Sequence, residues 1–329
     1  MILVVGGAGF IGSHMCLRLR AEGVEHLVLD NLEKGHRAAI AGSPLVQADL
    51  REPASLQRVF QENRIDAVIN FAAYIEVGES AREPGRYWAN NVGGVLNLLE
   101  AMRQADCRKI IFSSTAAVYG EPETPLLSES HPKRPASPYG ATKLAAEMLI
   151  DSYDFAHDFR SVCLRYFNAA GADPDGRIGE DHEPETHLIP RILLAAAGRT
   201  DGISIFGRDY DTPDGTCIRD YVHVMDLVEA HWLALHHLLE GGESRRYNLG
   251  YGRGSSVQEV VDACRKVTGN DFEIREADRR PGDPARLVAD SSAIQNEWGW
   301  SPQFDDLETI IGHAWQWMQA NPMGYNDRA

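Results

Sequence analysis

The stretch that most limits the fold lies at the N-terminus, where the apolar run Ile2-Leu3-Val4-Val5 passes straight into Gly6-Gly7-Ala8-Gly9-Phe10-Ile11-Gly12 and then into the helical run Ser13 to Leu19. A short apolar run bounded by glycine predicts a buried strand, so strand, glycine loop and helix follow in the order of a phosphate-binding βα turn. Gly6 permits the tight turn, Gly9 lets backbone approach a pyrophosphate, and Gly12 lets the helix sit close to the strand. The helix N-terminus then faces the phosphates.

A second apolar run, His26-Leu27-Val28-Leu29, closes on Asp30, about twenty residues past the loop, where a carboxylate can accept from both hydroxyls of an adenosine ribose. Asp30 would repel the extra phosphate of NADP, so NAD is the expected dinucleotide. The rhythm continues through Leu45 to Leu50, a helix from about Pro53 to Asn63, the strand Ala67 to Ala73, and a longer helix from about Tyr87 to Gln104. The strand Lys109-Ile110-Ile111-Phe112 follows and ends in Ser113-Ser114-Thr115; later comes the strand Ser161 to Tyr166. This alternation predicts an α/β, Rossmann-type doubly wound parallel sheet with ligand sites at the carboxyl ends of its strands.

Beyond Tyr166 the rhythm breaks. Residues 167 to 216 are rich in Gly, Pro, Asp and Glu around one helix near Ile189 to Ala197, and predict loops that contact a substrate. Asp220 to Val224 and the amphipathic Met225 to Leu239 return to the sheet domain, with a further strand at Arg246 to Leu249. Residues 250 to 329 predict a smaller C-terminal α/β lobe, with Trp298, Trp300, Trp315 and Trp317 as core residues.

Charge and cysteine usage exclude other classes. A formal charge of −16 argues against nonspecific nucleic-acid binding, and no apolar stretch reaches the length of a bilayer span. The chain enters its glycine loop without the pattern of a signal peptide, which predicts a cytoplasmic protein. The five cysteines are scattered, form no Cys-x-x-Cys and are expected as small core residues, so no metal site is expected.

The chemistry is expected at Ser137-Pro138-Tyr139-Gly140-Ala141-Thr142-Lys143. Ser137 is a good N-cap and Pro138 suits the first helical position, so Tyr139 and Lys143 share one helical face. A neighbouring ammonium stabilises a phenolate, and such a tyrosine can exchange a proton with a substrate hydroxyl. With eleven tyrosines and five lysines in the chain, the pair decides little without a cofactor site beside it.

With these pieces placed, the sequence resembles the extended short-chain dehydrogenase/reductase superfamily and, within it, the UDP-glucose 4-epimerase family over essentially the whole chain. The likeness rests on Gly6 to His14, Asp30-Asn31-Leu32, Val77-Gly78-Glu79-Ser80, Phe112 to Gly120, Arg165-Tyr166-Phe167-Asn168 and Arg219 to Val224. The resemblance implies that Tyr139 removes the proton from the sugar 4-hydroxyl while hydride passes from C4 to NAD, and that the 4-keto sugar then takes the hydride back on its other face. Lys143 would bind the nicotinamide ribose and depress the tyrosine pKa, and Thr115 would relay the proton. Ala116 and Ala117 stand where related 4,6-dehydratases carry an Asp-Glu pair, which disfavours elimination of water.

The same resemblance implies cofactor contacts at Gly6, Gly9, Phe10, Ile11, Gly12, Asp30, Asn31, Asp49, Leu50, Phe71, Ala72, Ala73, Asn90 and Phe167, with Ile75 where some members carry a lysine. For a UDP-hexose it implies Asn168 on a diphosphate or sugar oxygen, His187 and Leu188 offering backbone to the uracil side, and Phe206 packing on the base. Arg219 and Arg280 would hold the pyrophosphate, Asp283 in Arg279-Arg280-Pro281-Gly282-Asp283 would accept from the uridine ribose, and Leu287 would bound the sugar pocket. The expected division is an NAD-binding domain, 1–166 plus 217–249, and a UDP-sugar-binding domain, 167–216 plus 250–329, in a homodimer. Alternatives are a 4-epimerase of UDP-N-acetylhexosamines or UDP-pentoses, or a nucleotide-sensing binding protein without turnover.

Overall fold

The computed structural model describes residues 1–280 and 283–327; Pro281 and Gly282 of the expected diphosphate segment lie outside the described residues. Six strands in chain order, β1 (Ile2–Val5), β2 (His26–Asp30), β3 (Leu45–Gln47), β4 (Ala67–Asn70), β5 (Lys109–Thr115) and β6 (Arg160–Tyr166), join a later strand, Arg245–Leu249. Their order across the sheet is Arg245–Leu249, β6, β5, β4, β1, β2, β3, and every pairing is parallel. β1 and β4 are therefore neighbours although β2 and β3 intervene in the chain. That crossover opens a crevice at the carboxyl edge, between strands whose helices lie on opposite faces.

Both faces are covered because the strands are apolar throughout: Leu3, Val4 and Val5 are fully buried, as are Ile69 and Ile111. Leu3 and Val5 belong to one apolar cluster with Leu56, Leu98 and Ile150, whereas Val4 belongs to another with Met15, Leu227 and Leu235. Alternate residues of one strand thus bind two helical layers into one body. A third cluster joins Ile189, Ile192 and Leu193 to Val260, Cys264 and Ile310 beyond the sheet.

The tryptophans are divided between these clusters. Trp300 is buried in the sheet cluster with Trp298 packed on it, Trp315 packs on the third cluster, and Trp317 is buried beside Tyr325. The last helix thus has one part of its aromatic set in the outlying core while residues 298–300 return to the sheet. The expected helix from about Tyr87 to Gln104 also differs in detail, since Trp88–Gly93 is π-helical before the α-helix Gly94–Gln104 begins. The wider turn buries Asn90 and Asn91, and the Asn91 amide bonds both the Tyr74 carbonyl, at 3.0 Å, and Thr142 Oγ1, at 3.1 Å. A buried amide so placed ties the loop after β4 to the helix that carries Tyr139.

Candidate active site

The glycine loop is forced by close approach. Gly6 has φ +73°, and a Cβ on Gly12 would lie 2.3 Å from the Gly6 carbonyl oxygen, so the helix Phe10–Ala21 could not pack on the loop with any other residue there. A Cβ on Gly9 would meet only that same oxygen, at 3.5 Å. Protein packing does not demand glycine at position 9, whereas a phosphate group drawn against the backbone does. The helix start has no side-chain cap, so its first amides, at Phe10, Ile11 and Gly12, are oriented to serve an anion.

Asp30 is buried at the end of β2. Its Oδ2 accepts from the Ala8 amide at 2.9 Å and its Oδ1 from the Leu32 amide at 2.8 Å. The carboxylate therefore locks the loop as well as presenting its remaining lone pairs to a ribose. Asn31 donates to Asp49 at 2.8 Å, and Arg51 binds the same carboxyl and holds it well below the usual carboxylate range. Leu50 is buried against the position of Gly94, and Asn90 bonds Asn91. The Phe71 amide donates to Val5 at 2.8 Å, while Ala72 and Ala73 continue along the crevice rim. These residues meet the requirements of NAD: a glycine surface and free helix amides for the pyrophosphate, a buried carboxylate for the ribose. Ile75 is 40% exposed beside them and supplies no charge.

The catalytic side is built by β5 and the helix Pro138–His157. Ser137 caps that helix, accepting from the Gly140 amide at 3.1 Å, and Pro138 occupies its first turn. A Cβ on Gly140 would lie 2.4 Å from the Ala117 carbonyl oxygen, so only glycine lets the helix start settle on the turn that follows Thr115. That contact sets Thr115 beside the Tyr139 phenol. Burial pushes the phenol up to about 12, and the Thr115 hydroxyl works against the rise. Lys143 is buried one turn on; its Nζ donates to the Ser113 carbonyl at 2.8 Å, and burial lowers its pKa to about 8 while Glu147 opposes the fall. Thr115 thus stands beside the phenol, while the ammonium is held by the strand two residues before it.

Below this pair lies a buried ion pair that sequence reading did not single out. Arg165 Nε and Nη2 bind Glu147 at 2.9 and 2.6 Å, and the Ser114 hydroxyl donates to the same carboxylate at 2.5 Å. Burial raises the Glu147 pKa, but Arg165 and Ser114 outweigh it and leave the carboxyl below its usual value. Arg165 also reaches the Tyr119 hydroxyl at 3.0 Å, which donates to Asn248 at 2.6 Å. β5, β6, the strand Arg245–Leu249 and the catalytic helix are therefore locked together directly beneath Thr115. Glu147, one turn beyond Lys143 on the same helix, was the available signal.

The expected substrate residues come from separate segments, and short pairings bring several together. Arg219 and Leu287 are register partners in a two-residue ladder, Arg219 pairs with Asp283, and both the amide and the side chain of Asn168 donate to Asp220 at 3.0 Å. Leu287, Phe167 and Leu144 of the catalytic helix pack on a small cluster of Val118, Tyr119 and Leu127. Arg280 stands 4.0 Å over the Phe206 ring. The His187 amide donates to Glu185 at 2.7 Å and its carbonyl accepts from Arg191 at 3.1 Å, as its place at the start of the helix Leu188–Ala196 requires.

Comparisons with known proteins agree with this arrangement. Residues 2–250 match the NAD dependent epimerase/dehydratase family. The chain is 51% identical over 325 residues to the UDP-glucose 4-epimerase of Halalkalibacterium halodurans, covering 99% of this chain and 97% of that one. It is similar to the solved UDP-glucose 4-epimerase of Bifidobacterium longum in complex with NAD+ and UDP, with a TM-score of 0.93 at 38% identity over 98% of this chain and 99% of the other. The UDP-Glc/GlcNAc 4-epimerase of Campylobacter jejuni is similar with a TM-score of 0.85 at 44% identity, over 97% and 99% of the two chains. The chain belongs to the NAD dependent epimerase/dehydratase family and, within it, to the UDP-glucose 4-epimerases.

Proposed function

We infer that the chain interconverts UDP-galactose and UDP-glucose by transient oxidation at C4 of the sugar. The observation that carries this is the placing of Thr115, Tyr139 and Lys143 together at the carboxyl end of β5, with Ala116 and Ala117 next in sequence. When bound, NAD supplies the acceptor and then the donor of one hydride, together with the positive charge of its oxidised ring. All proton handling falls to this chain. Tyr139 Oη exchanges the proton of the 4-hydroxyl, and Thr115 Oγ1 hydrogen-bonds the same two oxygens and shares that proton. Lys143, fixed on the Ser113 carbonyl, holds the nicotinamide ribose and adds cationic character next to a phenol that burial otherwise keeps protonated. Ala116 and Ala117 provide no acid or base for elimination of water.

The nucleotide is held across the crevice between a domain of residues 1–166 plus 217–249 and one of residues 167–216 plus 250–329. Arg219 and Arg280 grip the diphosphate, since planar guanidinium groups bind its oxygens two at a time. Asn168, His187, Leu188, Phe206 and Asp283 complete the nucleotide contacts, and Leu287, packed with Phe167 on the cluster of Val118, Tyr119 and Leu127, bounds the sugar. Two copies associate through the helical stretch around Trp88 and Leu96 and the catalytic helix at Met148 and Phe155. These four apolar side chains, from 41% to 94% exposed, support a second copy as the covering partner. Five free, buried cysteines suit the reducing cytoplasm, and among the described residues no helix is long and apolar enough to cross a membrane.

Incubating the purified protein side by side with UDP-galactose, UDP-N-acetylgalactosamine and UDP-arabinose tests the reading. Conversion of UDP-galactose to UDP-glucose is expected as the fastest reaction. Binding of UDP-galactose without conversion would reduce the chain to a nucleotide-binding protein.

A further inference from the structure

Eight residues before the helix Leu188–Ala196 carry Glu180, His182, Glu185 and His187, a Glu-x-His-x-x-Glu-x-His spacing in an irregular segment. Their side chains converge. His182 Nδ1 lies 3.1 Å from Glu180 Oε1 and 3.6 Å from Glu185 Oε2; His187 Nδ1 lies 3.0 Å from Glu180 Oε1 and 3.0 Å from Glu185 Oε1. One donor atom from each residue falls within 4.8 Å of all the others. A tetrahedral zinc ion with bonds of about 2.0–2.1 Å needs ligand atoms about 3.3 Å apart, and these separations bracket that edge.

Two further observations distinguish the cluster from a surface ion-pair network. The Glu180 and Glu185 side chains are 6% and 9% exposed, and two carboxylates facing one small buried space repel each other unless positive charge lies between them; the two imidazoles supply it only when both are protonated, whereas one divalent cation supplies it with both neutral. His182 Nδ1 is buried and makes no hydrogen bond, although a carboxylate oxygen is within 3.1 Å. Two imidazoles with two carboxylates form a donor set suited to zinc, and no thiolate is needed.

We propose that Glu180, His182, Glu185 and His187 form a tetrahedral zinc site that pins the segment between the cofactor loop and the helix Leu188–Ala196. The neighbouring contacts give the ion a structural task. The Glu183 carbonyl accepts from Lys34 at 2.8 Å, and Gly179 exchanges hydrogen bonds of 3.0 Å with the Tyr325 hydroxyl. The segment thus touches the strand β2 loop on one side and the C-terminal residues on another, while His187 itself starts the helix. No step of the sugar chemistry involves the ion, so the site stands or falls apart from the reaction assigned above.

The test is metal content of the full-length protein after exposure to zinc chloride and dialysis, read by plasma emission spectrometry. About one zinc per chain is expected in the natural protein, and none in His182→Gln or in Glu185→Gln, each first checked for native circular dichroism. Cobalt chloride added to metal-stripped natural protein guards against variants that fail to fold. The intense visible bands of tetrahedral cobalt should appear to one equivalent and be bleached by zinc. The thermal midpoint of the natural protein should fall on chelation and recover with zinc. A natural protein that retains no zinc, a weak octahedral cobalt spectrum, or equal zinc content in the folded variants overturns the site.

Discussion

The cofactor side and the nucleotide side of the crevice are built by different means. On the proposed cofactor side most groups sit at the carboxyl end of a parallel strand, or one turn into the following helix, and are held by bonds to the main chain such as Ala8 to Asp30 and Phe71 to Val5. On the nucleotide side Asn168, Leu188, Phe206, Arg219, Asp283 and Leu287 come from separated segments, joined by two-residue ladders and by side-chain pairs such as Arg219 with Asp283. A sheet edge of paired backbone is stiff because every strand is restrained by its neighbours. Loop segments joined by ion pairs can exchange those pairs for a ligand. The difference suits a reaction in which a dinucleotide stays in place while a sugar must turn over between two half-reactions.

That contrast can be broken by experiment, beginning with the residue expected to matter most. Tyr139→Phe removes the proton carrier and leaves its buried surroundings intact, so turnover should fall by about 10²–10⁴-fold with NAD and UDP affinity nearly unchanged. Unaltered turnover would remove Tyr139 from the mechanism. Glu147→Gln strips the partner from a buried arginine and should cost about 3–5 kcal/mol of stability in urea unfolding at neutral pH. Its pH dependence has a fixed sign. The folded carboxyl titrates below its unfolded value of 4.5, so the advantage of the natural protein is full above that value and is lost as the pH falls through the folded pKa. A gap that stays constant into acid would show that the charge pair is not its source.

Changes on the nucleotide side should be milder and should fall on binding. Arg219→Ala loses charge-assisted hydrogen bonds and should weaken UDP binding by about 10–100-fold in calorimetry, with NAD retention and protein stability little altered. A comparable loss of NAD would mean that the two sides are coupled more tightly than their construction suggests. Leu287→Ala is the smallest change: it enlarges the space beside Phe167, and relative kcat/KM for UDP-N-acetylgalactosamine over UDP-galactose should rise by about tenfold. A constant ratio would place the sugar boundary elsewhere.

Much of the cofactor side was legible because its determinants are local. A strand, a glycine turn and a capped helix are written in neighbouring residues, and the Ser137 cap and Pro138 form where their spacing predicts. The π-helical turn at Trp88–Gly93 was not legible, since its apolar pattern is that of a helix and only the packing of Asn90 and Asn91 widens it.

The sequence by itself determined the order of strands and helices, the dinucleotide turn and the Tyr139–Lys143 pair, because those depend on periodicity and on residues within a few turns of each other. Tertiary structure alone decided that Thr115 stands beside the phenol while the Lys143 ammonium binds the Ser113 carbonyl. It also set a buried Glu147–Arg165 pair under the site, returned Trp300 to the sheet core and gathered two histidines and two glutamates around one point. Each of these needs elements distant in sequence, or an irregular loop, to close in space. Contacts of that kind are selected by packing and desolvation, to which local propensity contributes little.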